Sequence, residues 1–138
     1  MYAERLGYEL GVVSDPYDNL GRLQAEMWRA ARLVVDTGIH HHRWSRQQAI
    51  DYLAAKTGLP DRQVEAEVER YILNPGQACA YMIGMLRFVA MRDAAKQALG
   101  ARFRYSEYHK ALLENGPMPL PMIEKRMQQW QQRRAVLP

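Results

Sequence analysis

The sequence predicts an all-α fold, a bundle of about six to seven helices. Three observations carry this. Apolar residues recur at three- and four-residue spacing along the chain. Segment boundaries carry helix punctuation, with Ser, Asp or Asn near Pro at starts and Gly at ends. No alternating stretch rich in β-branched residues announces a strand.

Tyr2 to Leu10 reads as a first helix with no cap residue before it. Ser14 or Asp15 caps a second, with Pro16 near its first position and Asp18 in its first turn. Leu20, Leu23, Met27, Ala30, Ala31 and Val34 give this helix an apolar stripe, and Gly38 ends or loosens it near Thr37. Ser45 to Gln48, "SRQQ", is a capping box. It opens a short helix containing Ala49, Ile50, Leu53 and Ala54, which Gly58 closes. Pro60 and Asp61 start the next, with Val64, Val68, Tyr71 and Ile72 on one face. "NPGQ" reads as a second box, with Asn74 as cap, Pro75 at N1 and Gln77 at N3. The helix it opens is expected to bury Ala78, Met82, Met85, Leu86 and Val89 and to end at Gly100. Ser106 to Glu114 forms a shorter helix and "NGPMPLP" a rigid turn. Met122 to about Arg133 completes the set, with Ile123, Met127 and Trp130 on one side.

At 138 residues the chain fits a single helical domain over 1–138, large enough to bury one core. The longest apolar runs, such as "CAYMIGML", are too short to span a bilayer, so no membrane partner is expected. Glu4 and Arg5 interrupt any apolar leader, and the sequence leaves the compartment open. The single cysteine, Cys79, excludes an internal disulfide framework. A net charge of +4 and a pI near 9.4 raise the question of nucleic acid. The basic residues are interspersed with acids, and the densest basic stretch is the tail "EKRMQQWQQRRAVLP". This pattern reads as a solvated surface, not a nucleic-acid interface.

"DTGIHHHRWS" places His40, His41 and His42 in succession. Consecutive helical residues diverge by about 100°, so the three do not converge on one ion. Asp36 and His40 are the only i, i+4 pair of ligand type involving a histidine, and two ligands do not complete a tetrahedral site. No metal site within the chain is therefore expected. Glu26, Arg29, Asp36 and His40 fall near one face of the second helix if it persists, and Arg32 precedes Asp36 by one turn. This polar stripe is either a buried ion-pair network or part of a functional site. Tyr81, beside Gln77 near a helix start, is either a core tyrosine or a donor to a developing oxyanion.

The segments "MYAERLGYELG", "DPYDNLGRL", "RAARLVVDTGIH", "WSRQQAIDYL", "EVERYILNPGQACAYMIG" and "MPLPMIEKRMQQW" together resemble the C-terminal part of the family named domain of unknown function 885. This is a large bacterial family of all-helical proteins regarded as zinc-peptidase-like. The resemblance covers essentially the whole chain; "RLVVDTGIH" and "PGQACAYMIG" are its specific motifs. Family members carry a His-Glu…Pro-Gly-His helix and a Glu-Gly-Trp segment upstream of the part matched here. The resemblance thus implies the C-terminal portion of a longer metallopeptidase-like hydrolase. Zinc and a peptide-like substrate would belong to the full-length protein, and the chain alone would be inactive. It implies that His40 and Tyr81 hydrogen-bond a tetrahedral intermediate. Arg32 would position a substrate carboxylate, Asp36 would orient His40, and Gln77 would belong to the same substrate-binding wall. His41 and His42 fall at variable positions. The alternative is a free-standing helical interaction or oligomerisation module.

Two expectations follow for the folded chain. Arg32, Asp36, His40 and Tyr81 should converge, with His41 and His42 more exposed than His40. An apolar patch drawn from Leu6, Leu10, Val12, Val13, Met82, Met85 and Met91 should drive self-association into a dimer. Light scattering on dilute protein reads this directly; a monodisperse monomer at micromolar concentration contradicts it.

Overall fold

Capping chemistry sets most of the boundaries. The structure, a computed structural model, describes residues 1–136. These form seven α-helices with no strand among the described residues. α1 (Tyr2–Glu9) leads by a short turn into α2 (Pro16–His40), where the Asp15 carboxylate accepts from the Tyr17 amide and Pro16 occupies the first turn. α3 (Arg46–Thr57) opens on the complete Ser45–Gln48 capping box and closes on Gly58 in the left-handed region. α4 (Asp61–Leu73) is followed by a turn-rich stretch and then α5 (Ala80–Leu99). A 3₁₀ turn (Gly100–Arg102) joins α5 to α6 (Tyr105–Leu113), and α7 (Leu120–Val136) follows.

The chain divides into two compact units, Met1–Ile83 and a second beginning at Gly84. In the first, α2 packs on α3 and α4, α3 on α4, and α1 on α2. The core there is Ala31 and Val35 of α2, Ala49 and Leu53 of α3, Val64, Val68 and Tyr71 of α4, and Ala78. Trp28, Ile39 and Ile50 pack around it. In the second unit α6 packs on α7. Its core joins Ala95, Tyr108, Ala111, Leu112 and Met127, with Ile123 and Trp130 against them.

Four local expectations are corrected. The first is Gly38, which neither ends nor loosens α2. It is buried, and the helix continues to His40. The chain then folds back so that Trp44 donates its amide to the Gly38 carbonyl at 2.9 Å. The indole lies on the glycine: an added Cβ would stand 2.5 Å from Trp44 Cδ2. The missing side chain is needed for close approach, not for a helix stop.

The second is the stripe on α2. Leu20, Leu23, Met27 and Val34 are exposed, while the buried face carries Ala31, Arg32, Val35 and Asp36. α3 and α4 cover the flank centred on Ala31 and Val35, and the neighbouring apolar flank is left facing outward.

The third is the "NPGQ" capping box. Gly76 adopts φ +79°, outside helical geometry, and residues 75–79 form successive turns, so α5 begins only at Ala80. Asn74 donates its side-chain amide back to the Arg70 carbonyl, and Gln77 accepts from Arg70, so neither caps α5.

The fourth is the apolar patch. Met82 and Met85 are buried, whereas Leu10 and Val12 are exposed. Leu86, expected inside, is exposed as well.

The Gly38–Trp44 contact generates a stability prediction. Gly38→Ala should destabilise the chain by about 1–3 kcal/mol, because the indole sits on backbone and has little room to give. Replacing Gly by Ala inside a helix is otherwise favourable. Urea denaturation reads the sign directly, and a stabilised Gly38→Ala would contradict the contact.

Candidate functional site

The polar centre of the first unit is built on α4. Glu67, Arg70 and Tyr71 stand at i, i+3 and i+4, so one turn presents all three together. Glu67 Oε2 is the focus. It accepts from Tyr71 Oη at 2.7 Å, from Arg70 Nη2 at 2.6 Å and from Arg32 Nη2 of α2 at 3.1 Å. The Tyr71 hydroxyl in turn accepts from Arg32 Nε at 3.1 Å and Trp28 Nε1 at 3.2 Å. Tyr71 is wholly buried, and Arg32 is only 5% exposed. Such a charge is tolerable in a core only because its donors meet a carboxylate and a phenol. The Arg32 guanidinium carbon also lies 4.1 Å from the Trp28 ring centroid and 5.2 Å from that of Tyr81.

These contacts set the protonation states. Burial pushes the Glu67 carboxyl up. The hydrogen bonds from Arg70 and Tyr71 and the charges of Arg32 and Arg70 outweigh it and hold the group below its ordinary value. Burial, then the hydrogen bond to Glu67, pushes the Tyr71 phenol up to about 12. Glu67 is therefore a fixed negative charge and Tyr71 a fixed neutral donor over the ordinary pH range.

The expected stripe on α2 exists because the helix persists through His40. Arg32, Asp36 and His40 are spaced by single turns, and the structure gives each its own partner. The Asp36 carboxylate receives the Gly76 amide at 3.0 Å to each oxygen. It thereby secures the turn before α5 and does not orient His40. Cys79 lies beside it; burial, followed by the negative charge of Asp36, pushes the thiol up and leaves it a protonated, inert group. His40 Nε2 lies 3.0 Å from the Tyr71 carbonyl, a contact in which the ring nitrogen donates. It satisfies a carbonyl in the last turn of α4. His41 is the residue after the helix, its ring edge-on to His42 at 4.7 Å, and all three histidines are exposed.

Arg32 thus contacts Tyr81, His40 contacts the same Tyr71 residue that Arg32 binds, and Asp36 is tied to the turn that precedes Tyr81. Tyr81 is 45% exposed. Gln77 Oε1 accepts from Arg70 Nη1 at 2.7 Å. Three residues escaped the sequence reading: Glu67, Arg70 and the hydroxyl of Tyr71. The signal was present in "EVERY", a carboxylate followed at three and four residues by a guanidinium and a phenol beside the apolar Val64–Val68 face. Among the described residues no three His, Cys, Asp or Glu side chains come together in a way that could hold a metal ion.

The sequence profile of a family described as "Bacterial protein of unknown function (DUF885)" matches residues 1–127. A solved structure described as the "putative lipoprotein from Colwellia psychrerythraea" is 46% identical, with a TM-score of 0.93 over 96% of this chain. The match covers 23% of that protein, so the chain spans about a quarter of its length. No curated protein matches.

The Glu67 focus generates a pH prediction. A carboxylate whose folded value is depressed adds stability above its unfolded value, near 4.3, and that stability is lost as pH falls through the folded value. Glu67→Gln should lower Tm at neutral pH and flatten the decline of Tm below about pH 4.3. Equal acid limbs for the two proteins would contradict the network. Absorbance titration should show one tyrosine resisting ionisation until about pH 12.

Proposed function

The chain belongs to the DUF885 family of bacterial proteins, and from that premise we propose that it is the C-terminal portion of a zinc-dependent peptidase-type hydrolase, supplying part of the substrate-facing wall. The observation that supports this reading is a buried cation held against an exposed phenol: Arg32, clamped by Glu67 and Tyr71, lies 5.2 Å from the Tyr81 ring. A solvated surface does not need a buried guanidinium, and a core tyrosine does not stand half in water. Tyr81 is the group this wall offers to a developing negative charge, through its hydroxyl; His40, whose Nε2–H is given to the Tyr71 carbonyl, would join it only in its doubly protonated form, through Nδ1–H. Zinc, in this reading, is held by residues outside this chain, and the isolated chain does not hydrolyse peptides.

A second reading rests on a different observation. Leu20, Leu23, Met27 and Val34 recur at three, four and seven residues along one exposed flank of α2. A seam of this period favours a helical oligomerisation module, most simply a symmetric dimer.

Peptide hydrolysis by a zinc-loaded polypeptide that carries these residues together with an upstream His-Glu…Pro-Gly-His helix separates the two. The hydrolase reading expects turnover that chelation abolishes, and a fall in kcat of about a hundredfold for Tyr81→Phe with little change in KM. Absence of metal-dependent turnover, with dimerisation lost on Leu23→Glu, favours the module.

A further inference from the structure

Two guanidinium groups share one carboxylate on the α4 face, and their circumstances differ. Arg32 is sealed in. Its side chain is 6% exposed, its Nε and Nη2 are bound to Tyr71 and Glu67, and Trp28 and Tyr81 flank it. Arg70 is anchored but open. Its side chain is 36% exposed, Nη2 is held by Glu67 at 2.6 Å, Nη1 by Gln77 Oε1 at 2.7 Å, and its guanidinium carbon lies 5.1 Å from the Tyr71 ring centroid.

A guanidinium has five N–H donors. With one hydrogen on each terminal nitrogen committed, Arg70 retains a second hydrogen on each, and its Nε–H, in a plane fixed by both anchors. Gln77 uses its oxygen on Arg70, so its amide nitrogen keeps its donors at an exposed position. Tyr81, whose ring lies 5.2 Å from the Arg32 guanidinium that shares Glu67 Oε2 with Arg70, is exposed too. Arg32, Glu67 and Arg70 together carry one net positive charge. Exposed donors grouped around a net positive charge are matched by a planar anion with two acceptor oxygens.

We propose that Arg70, with Gln77 and Tyr81, forms a subsite for a carboxylate of a peptide substrate, and that Arg32 is a positioning residue behind it. This rests on the hydrolase reading above and moves the carboxylate-binding role from Arg32 to Arg70. The Glu67 clamp explains the division. Arg32 neutralises the inner side of the shared carboxylate, which lets Arg70 be held by the same oxygen while keeping charge to offer outward. The carboxylate has two sources, a chain terminus or an acidic side chain, and both present the same oxygens.

The test is a binding measurement on the 138-residue chain, which needs neither metal nor turnover, so failure of the subsite and failure of the hydrolase reading are separately visible. Nitrogen-15 spectra follow the Arg70 Nε–H and Gln77 amide signals during titration with N-acetylalanine, N-acetylglutamate α-amide and N-acetylalanine amide. Both carboxylates should shift these signals saturably, and the one that binds more tightly identifies the source. The neutral amide should leave them in place. Arg70→Gln should weaken carboxylate binding by about tenfold or more, as expected for loss of a charge-assisted pair. Gln77→Ala, which removes no charge and leaves the Glu67 clamp intact, should weaken it by a smaller factor. Arg32→Lys, which keeps the charge but not the fork, should move the Arg70 Nε–H signal before any ligand is added and weaken binding. Equal shifts from the neutral amide, wild-type affinity in Arg70→Gln, or preference for inorganic phosphate over both carboxylates would overturn the subsite. An Arg70 signal and affinity unchanged in Arg32→Lys would overturn the positioning role.

Discussion

One carboxylate oxygen, Glu67 Oε2, organises the first unit. It draws in Arg32 from α2, and Arg70 and Tyr71 from its own helix. Three donors on one acceptor concentrate positive charge where a hydrophobic core begins, a few residues from Val64, Val68 and Val35. Burial of such groups is costly unless every one is satisfied, and no buried side-chain nitrogen or oxygen among the described residues lacks a partner. The cost of desolvating Arg32 is offset by the geometry it gains. A long, rotamer-rich side chain becomes a fixed cation with an aromatic ring on hand, and the placement of the exposed Arg70 and Tyr81 depends on that fixity.

The polar ties also choose the partners of α2. Apolar contact alone does not discriminate between the flank of Ala31 and Val35 and the flank of Leu23 and Met27, since both are greasy. Arg32 and Asp36 discriminate. The first must reach Glu67 and Tyr71, the second the Gly76 amide, and only one rotation of α2 about its axis satisfies both. Polar groups here specify an arrangement that hydrophobic burial then stabilises.

Local chemistry in the sequence was a good guide wherever the cause was local. The Ser45–Gln48 box, the Asp15–Pro16 start and the Gly58 stop each involve residues within one turn of one another, and each boundary is found where that chemistry puts it. Prediction failed where a distant residue decided. "NPGQ" has the composition of a helix start, but the Gly76 amide is claimed by Asp36, forty residues earlier in the chain, and the turn that results delays α5 to Ala80. Gly38 has the composition of a helix stop, but Trp44 needs its bare backbone. At the candidate site the α2 row was legible as a period, whereas Glu67 and Arg70 resembled ordinary solvated charges. Nothing in "EVERY" says that a second arginine arrives from another helix.

The unbroken length of α2 has a mechanical consequence. Its 25 residues make a rod of about 37 Å, with no proline after the first turn and no loosening at Gly38. Its first half carries the exposed flank of Leu20, Leu23 and Met27; its second half carries Arg32, Asp36 and His40. A stiff rod transmits tilt. Whatever settles against the first half acts as a hand on a lever, and a rotation of a few degrees there moves the cation, the turn and the histidine together, because all three are riveted to the same shaft.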